Sequence, residues 1–255
     1  MSKREANYGK PWSRDELILG FDLYCRIPFQ KTKTSNPQVR KLANMLNRSP
    51  ASVARKLGNF GAFDPELKKR SISGLKHGSR LDHQIWEEFH KDWSGLVLQA
   101  SELLVSLGGA ESVKPLSIPG GPSERTALSK QRIHQSFFRD AVLTSYEYRC
   151  CVTGLSVPEC LIASHIVPWK DSEQYRADPT NGLCLSATFD RLFDAGLITV
   201  TDDFNLWVSR ELLGMVNAPI RDLICRYHEK PILMPRRFTP ARERLSWHRE
   251  NVFQT

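Results

Sequence analysis

Residues 108–123, GGAESVKPLSIPGGPS, place four glycines and three prolines where any helical or strand period would have to continue. Proline removes a backbone donor and glycine carries the largest ordering entropy, so no regular element is expected to run through this stretch. A chain of 255 residues interrupted in this way is expected to build two units rather than one core. The expected division is a helical, basic module over 1–108, a linker over 109–128 and a second unit over 129–255, in an α+β protein.

Charge separates the two parts as well. Residues 1–110 hold 18 basic and 11 acidic side chains and residues 111–255 hold 18 and 17, so nearly all of the formal +8 sits in the first part. Within 26–80 there are 13 basic residues against Asp64 and Glu66 alone. An excess this concentrated repels itself unless a polyanion neutralises it, which points to nucleic acid; a solvated basic face that aids solubility is the competing reading. The first 30 residues carry charges throughout, and no apolar run approaches the roughly 18 residues of a membrane span, so a cytoplasmic protein without a membrane partner is expected. The six cysteines (Cys25, Cys150, Cys151, Cys160, Cys184, Cys225) include an adjacent pair and no Cys-x-x-Cys. Reduced thiols are therefore expected, and a structural zinc is not.

Ser13 ahead of Asp15 and Glu16, with Leu17, Phe21 and Tyr24 at helical spacing, predicts an amphipathic helix over 13–24. Over 36–60 two short apolar faces, Val39, Leu42, Ala43 and Leu46, then Val53, Leu57 and Phe60, flank Asn47, Arg48 and Ser49. Ser49 is placed to cap the second helix and Pro50 to occupy its first turn. This predicts a helix-turn-helix whose second helix exposes Ser52, Arg55, Lys56 and Asn59: Arg can fork onto guanine, Asn onto adenine, and Lys can meet phosphate. An ordinary helical hairpin shares the spacing. Further helices are expected over 81–89, 96–107 and 131–146.

Beyond that the texture changes to short segments. LIASHI and LITVT have the density of strands, Pro168, Pro179 and Gly182 punctuate a loop, and SATFDRLFDAG reads as a helix with Phe189, Leu192 and Phe193 inward and Gly196 at its end. Strand, long loop, short strand, helix is the expected order. It carries His165, Asn181 and Asp190 at separations of 16 and 9 residues.

The block 149–200, with SHIVPW, NGLCLS and DRLFDAGLI, resembles the nuclease domain of the HNH endonucleases, the ββα-metal fold, and above all a restriction-like subgroup. The ending PRRFTPARERLSWHRENVF is similar to the tail of that subgroup. The resemblance implies a helical basic N-terminal module followed by a ββα-metal nuclease domain. It also implies metal-dependent hydrolysis of DNA phosphodiester bonds, in restriction or phage defence.

That reaction needs a base for water and a cation at the phosphate. By resemblance His165 is the general base and Asp190 the carboxylate on Mg²⁺, while Asn181 ties the loop to the base strand and helps the metal. Asp194 is a second ligand candidate, and Lys170 and Arg191 are candidate phosphate clamps. Ser164 stands where many HNH sites place an acidic ligand, and Asp190 where the family name has His; this leaves fewer protein oxygens for the cation and admits Mn²⁺ beside Mg²⁺. Two other readings share these residues: a sequence-specific DNA-binding protein with an inactive HNH domain, and a nuclease for structured RNA. One histidine site cuts one strand, so full cleavage of double-stranded DNA, the expected partner, requires a homodimer or two successive nicks.

Overall fold

The computed structural model describes residues 7, 9–72, 78–108, 122–215 and 217–254, with backbone alone over 122–127. It divides into two compact units, Met1–Ala141 and Val142–Thr255.

The first unit is helical. Helix α1 (Arg14–Arg26) starts on the expected capping box, in which Ser13 and Glu16 satisfy each other's backbone N–H groups. Helices α2 (Pro37–Met45) and α3 (Pro50–Gly61) follow, each with proline in its first turn and a polar N-cap, Asn36 or Ser49, accepting from the backbone. The turn between them passes through Asn47 at φ +50°, a left-handed conformation that asparagine tolerates better than most residues. Helices α4 (Pro65–Lys69), α5 (Arg80–Phe89) and α6 (Trp93–Ser106) complete the run. Phe21, Tyr24, Phe60, Trp86 and Trp93 form an aromatic centre with ring centroids 5.1 to 6.1 Å apart around Phe21.

Two polar groups inside this core show how buried charge is paired. The Tyr24 hydroxyl donates to Asp64 at 2.9 Å, and Asp64 in turn caps α4. Arg48, almost fully buried, grips Glu16 through two nitrogens at 2.7 and 2.8 Å and also donates to the carbonyls of Lys10 and Pro11. Removing either member of such a pair strands a buried charge. No helix among the described residues is long and apolar enough to cross a membrane.

Helix α7 (Pro122–Ser145) begins well before the predicted start at 131, because proline is tolerated in a first turn, where its missing N–H is not needed. The expected linker therefore lies outside the described residues over 109–121 and is helical from Pro122. The division between units falls inside α7, after the expected boundaries of 108 and 129. Within the first unit, Asp140 on this helix accepts from Arg26 at 2.9 Å, and Phe137 meets Trp93 at 6.2 Å.

In the second unit β1 (Leu161–His165) pairs antiparallel with β2 (Gly182–Ser186), from Leu161 opposite Ser186 to His165 opposite Gly182. The long connection 166–181 links them, and α8 (Ala187–Asp194) follows directly, so the expected order of strand, loop, strand and helix is present. Phe189 and Phe193 of α8 are buried, and Gly196 ends the helix at φ +71°, the left-handed position that favours glycine. LITVT supplies β3 (Ile198–Val200), which pairs with β4 (Leu206–Val208) in a separate two-stranded sheet. Short helices α9 (Arg210–Gly214) and α10 (Ala218–Leu223) come next. The C-terminal α11 (Arg242–Asn251) packs on β3, with Leu245 fully buried.

Candidate functional site

β1 ends at His165, and strand geometry sends consecutive side chains to opposite faces. Ser164 therefore points toward Asp190 on α8, while His165 points toward the connection 166–181. There His165 Nε2 lies 3.1 Å from the main-chain oxygen of Arg176. A carbonyl can only accept, so the imidazole proton sits on Nε2 and Nδ1 is the basic nitrogen. Burial pushes the His165 pKa below its ordinary value, against the opposing effect of that carbonyl. The ring is therefore neutral at neutral pH, as a proton acceptor must be. Trp169 stands edge-on to it at 5.8 Å.

The connection is held from inside by Asn181, which is fully buried. Its side-chain oxygen accepts from Val167 N–H at 2.9 Å, and its amide donates to the Val167 carbonyl at 3.0 Å and the Tyr175 carbonyl at 3.4 Å. Its own carbonyl accepts from Ile166 N–H at 2.8 Å. Both ends of the side-chain amide are thus engaged on the backbone beside the histidine. Of the two roles expected of Asn181, tying the loop and helping the metal, these contacts bear on the first; its side-chain oxygen is turned to Val167 and buried.

Asp190 and Asp194 lie one turn apart on α8. Burial raises both pKa values; the neighbouring Asp190 raises Asp194 further, while the Arg191 guanidinium lowers both. Two carboxylates that repel each other in a partly desolvated setting suit a hard divalent cation, which needs few protein oxygens and keeps much of its water. Ser164 is close enough to act on the Asp190 carboxyl, yet the contact falls short of hydrogen-bond geometry and Oγ stays buried without a partner. An orphaned polar atom beside that carboxylate fits an oxygen-rich cation site. Among the described residues no group of three or more His, Cys, Asp or Glu side chains could hold an ion by itself. Asp190 and Asp194 are the carboxylates available there to a hard divalent cation, whose shell would have to be completed by water and substrate oxygens.

A cleft of ≈ 600 Å³ brings together His165, Lys170 and Asp194, with Trp247 and Asn251 of α11 on its other wall. Asp190 does not line it; its links to the site run through Ser164 and through its charge on Asp194. Arg191 is exposed on α8 and also lies outside the cleft lining.

The predicted DNA-reading face of α3 is only partly available. Ser52 is half-buried and Arg55 exposed, but Lys56 and Asn59 are buried. Lys56 Nζ donates to both Asp82 oxygens at 2.9 and 3.0 Å, and Asn59 reaches the same carboxylate at 3.3 Å. Asp82 caps α5, so the side of α3 expected to be open is covered by α5. The exposed cations of this unit include Lys31, Lys33, Arg40, Arg55, Lys68 and Lys69.

Sequence reasoning missed Arg176, whose carbonyl orients the histidine, and the α11 residues at the cleft. Arg176 acts through its backbone, which carries no residue-type signal, and α11 reaches the site across more than 60 positions.

No curated protein matches the chain. Residues 150–201, which hold β1, the 166–181 connection, β2, α8 and β3, match the family described as HNH endonuclease.

Proposed function

We propose that the protein is a divalent-metal-dependent endonuclease that hydrolyses phosphodiester bonds of double-stranded DNA, serving in restriction or phage defence. The observation that carries this reading is the setting of His165: a neutral imidazole, its proton held on Nε2 by the Arg176 carbonyl, in one cleft with Lys170 and Asp194. Nδ1 takes the proton of the attacking water. Lys170 offers a positive charge for the scissile phosphate, and Arg191, exposed on α8, would meet the strand outside the cleft. Asn181 keeps the connection, and with it the histidine, in register. Asp190, with Asp194, would hold Mg²⁺ or Mn²⁺, which when bound supplies Lewis-acid stabilisation of the charge that develops on phosphate and leaving oxygen. The exposed cations of the first unit, Arg55 among them, hold the duplex by its phosphates. Two copies, or two successive events, sever both strands.

The test is cleavage of supercoiled plasmid, and of modified and unmodified phage DNA, with Mg²⁺ and with Mn²⁺. Nicking that requires the cation and disappears in a folded His165→Ala variant supports the reading. Cleavage that survives His165→Ala removes the base assignment. Tight sequence-specific binding with no cleavage under either cation replaces the enzyme by a DNA-binding protein with an inactive HNH domain.

A further inference from the structure

We infer that Arg244, on the C-terminal helix, is a positioning residue for the nuclease histidine, acting through the connection 166–181. The inference rests on the reading of His165 as the base. Arg244 Nη2 donates to Asp178 Oδ2 and Nη1 to Thr180 Oγ1, both at 2.6 Å, and its guanidinium carbon lies 4.1 Å from the Tyr175 ring centroid. Arg176, whose carbonyl receives the His165 Nε2 proton, sits between these two anchor points. One guanidinium thus grips the chain on both sides of the carbonyl that fixes the tautomer of the base.

The grip is built for rigidity. The Arg244 and Asp178 side chains are only 13% and 11% exposed, so their ion pair escapes most of the solvent screening that weakens surface pairs. Asp178 uses its other oxygen on Thr180, accepting from both its N–H and its hydroxyl at 2.8 Å, which locks the geometry Arg244 meets. A planar fork that also stacks on an aromatic ring is a task lysine cannot fully copy. Asn181 holds the connection from inside, at Val167 and Tyr175, and Arg244 holds it from the α11 side. Loss of the outer hold frees the Arg176 carbonyl to drift, and an orienting partner displaced by about 1 Å costs on the order of 10²-fold in rate.

Helix α11 keeps other anchors when Arg244 is removed. The Ala241 N–H donates to the Thr180 carbonyl at 3.0 Å, Leu245 is fully buried, and His248 bonds Thr199 at 2.9 Å.

The experiment uses the full chain and its Arg244→Ala, Arg244→Lys and Asp178→Asn variants, with thermal unfolding as the check on fold. Nitrogen-15 spectra of the histidine side chains, taken without DNA or metal, read the His165 tautomer and the exchange of its Nε2 proton. Plasmid nicking with Mg²⁺ separates kcat from KM. In Arg244→Ala we expect a mixed tautomer with faster proton exchange and kcat lower by about 10²-fold at unchanged KM. Arg244→Lys, which keeps the charge on Asp178, should fall between the two. If Arg244→Ala does not fold, Asp178→Asn carries the same expectation at smaller amplitude. A His165 tautomer and exchange rate equal to the parent's in the folded variants overturns the inference. Because the spectra need no catalysis, they measure the effect of Arg244 on His165 even in a chain that proves inactive as a nuclease.

Discussion

Replacing Asn181 with alanine separates two roles that a nuclease could assign to it. The side chain is fully buried and makes two short bonds to Val167, at 2.9 Å from its N–H and 3.0 Å to its carbonyl, with a longer one of 3.4 Å to Tyr175. Alanine strands a buried donor and a buried acceptor on the backbone, each costing about 1–3 kcal/mol; the long third bond adds little. The expected loss is about 3 kcal/mol, or a fall in Tm of roughly 10 °C for a unit of this size. Because the lost contacts lie within one connection, the opening is local, and amide exchange at Val167 should quicken by about 10²-fold, the ratio that corresponds to 3 kcal/mol. Denaturant unfolding and peptide-resolved hydrogen exchange measure both quantities. The concentration of Mg²⁺ that gives half-maximal nicking should stay unchanged in whatever activity remains. The reasoning fails if Asn181→Ala leaves Tm and the exchange of Val167 as they are while demanding tenfold more Mg²⁺, because the amide would then be a metal ligand.

Two neighbours on α3 should behave in opposite ways. Lys56→Ala leaves the fully buried Asp82 without its cation and is expected to cost about 3–5 kcal/mol of stability. Arg55→Ala, at an exposed site, should leave stability within about 0.5 kcal/mol but weaken binding to any duplex and reduce the salt slope by about one. A stable Lys56→Ala with impaired DNA binding would show the lysine facing outward after all. His248 should make the second unit sensitive to acid: burial holds its pKa at about 4, against an ordinary 6.5, with both ring nitrogens engaged by Thr199 and Phe193. A depressed folded-state pKa means that the unfolded chain binds the proton first. Stability is thus full above pH 6.5 and falls as pH drops toward 4, by about 3 kcal/mol over that window. Urea unfolding between pH 7 and 4 measures the slope, and a His248 resonance titrating near 6.5 in the folded protein would contradict it.

Much of this protein is legible in one dimension because the signals are local. Ser13 and Glu16 form a capping box wherever a helix begins, and Ser49 with Pro50 starts α3 by the same rule. The spacing of His165, Asn181 and Asp190 follows from one strand, one connection and one helix in succession, so the order around the histidine could be read before the fold was known. The residue types there are also the ones from which the proposed chemistry is read: an imidazole for the base and carboxylates for a cation. Local rules also misled where tertiary contacts took over. Lys56 and Asn59 look like a groove-reading face by helical periodicity, but Asp82, 26 and 23 residues away, turns both inward because a buried carboxylate must be neutralised.

Three-dimensional packing alone decided the rest. Which ring nitrogen of His165 carries the proton depends on a main-chain oxygen 11 residues on, a group that every residue type presents alike. That the far end of the chain braces the connection through Arg244 depends on an ion pair spanning 66 positions, and no periodicity or spacing encodes it. Sequence determined the local elements and their chemical equipment because capping, periodicity and turn preference act within a few residues. Tertiary structure decided which charges are buried, which proton sits where and which arginine holds the loop, because desolvation and long-range pairing exist only once the chain has closed on itself.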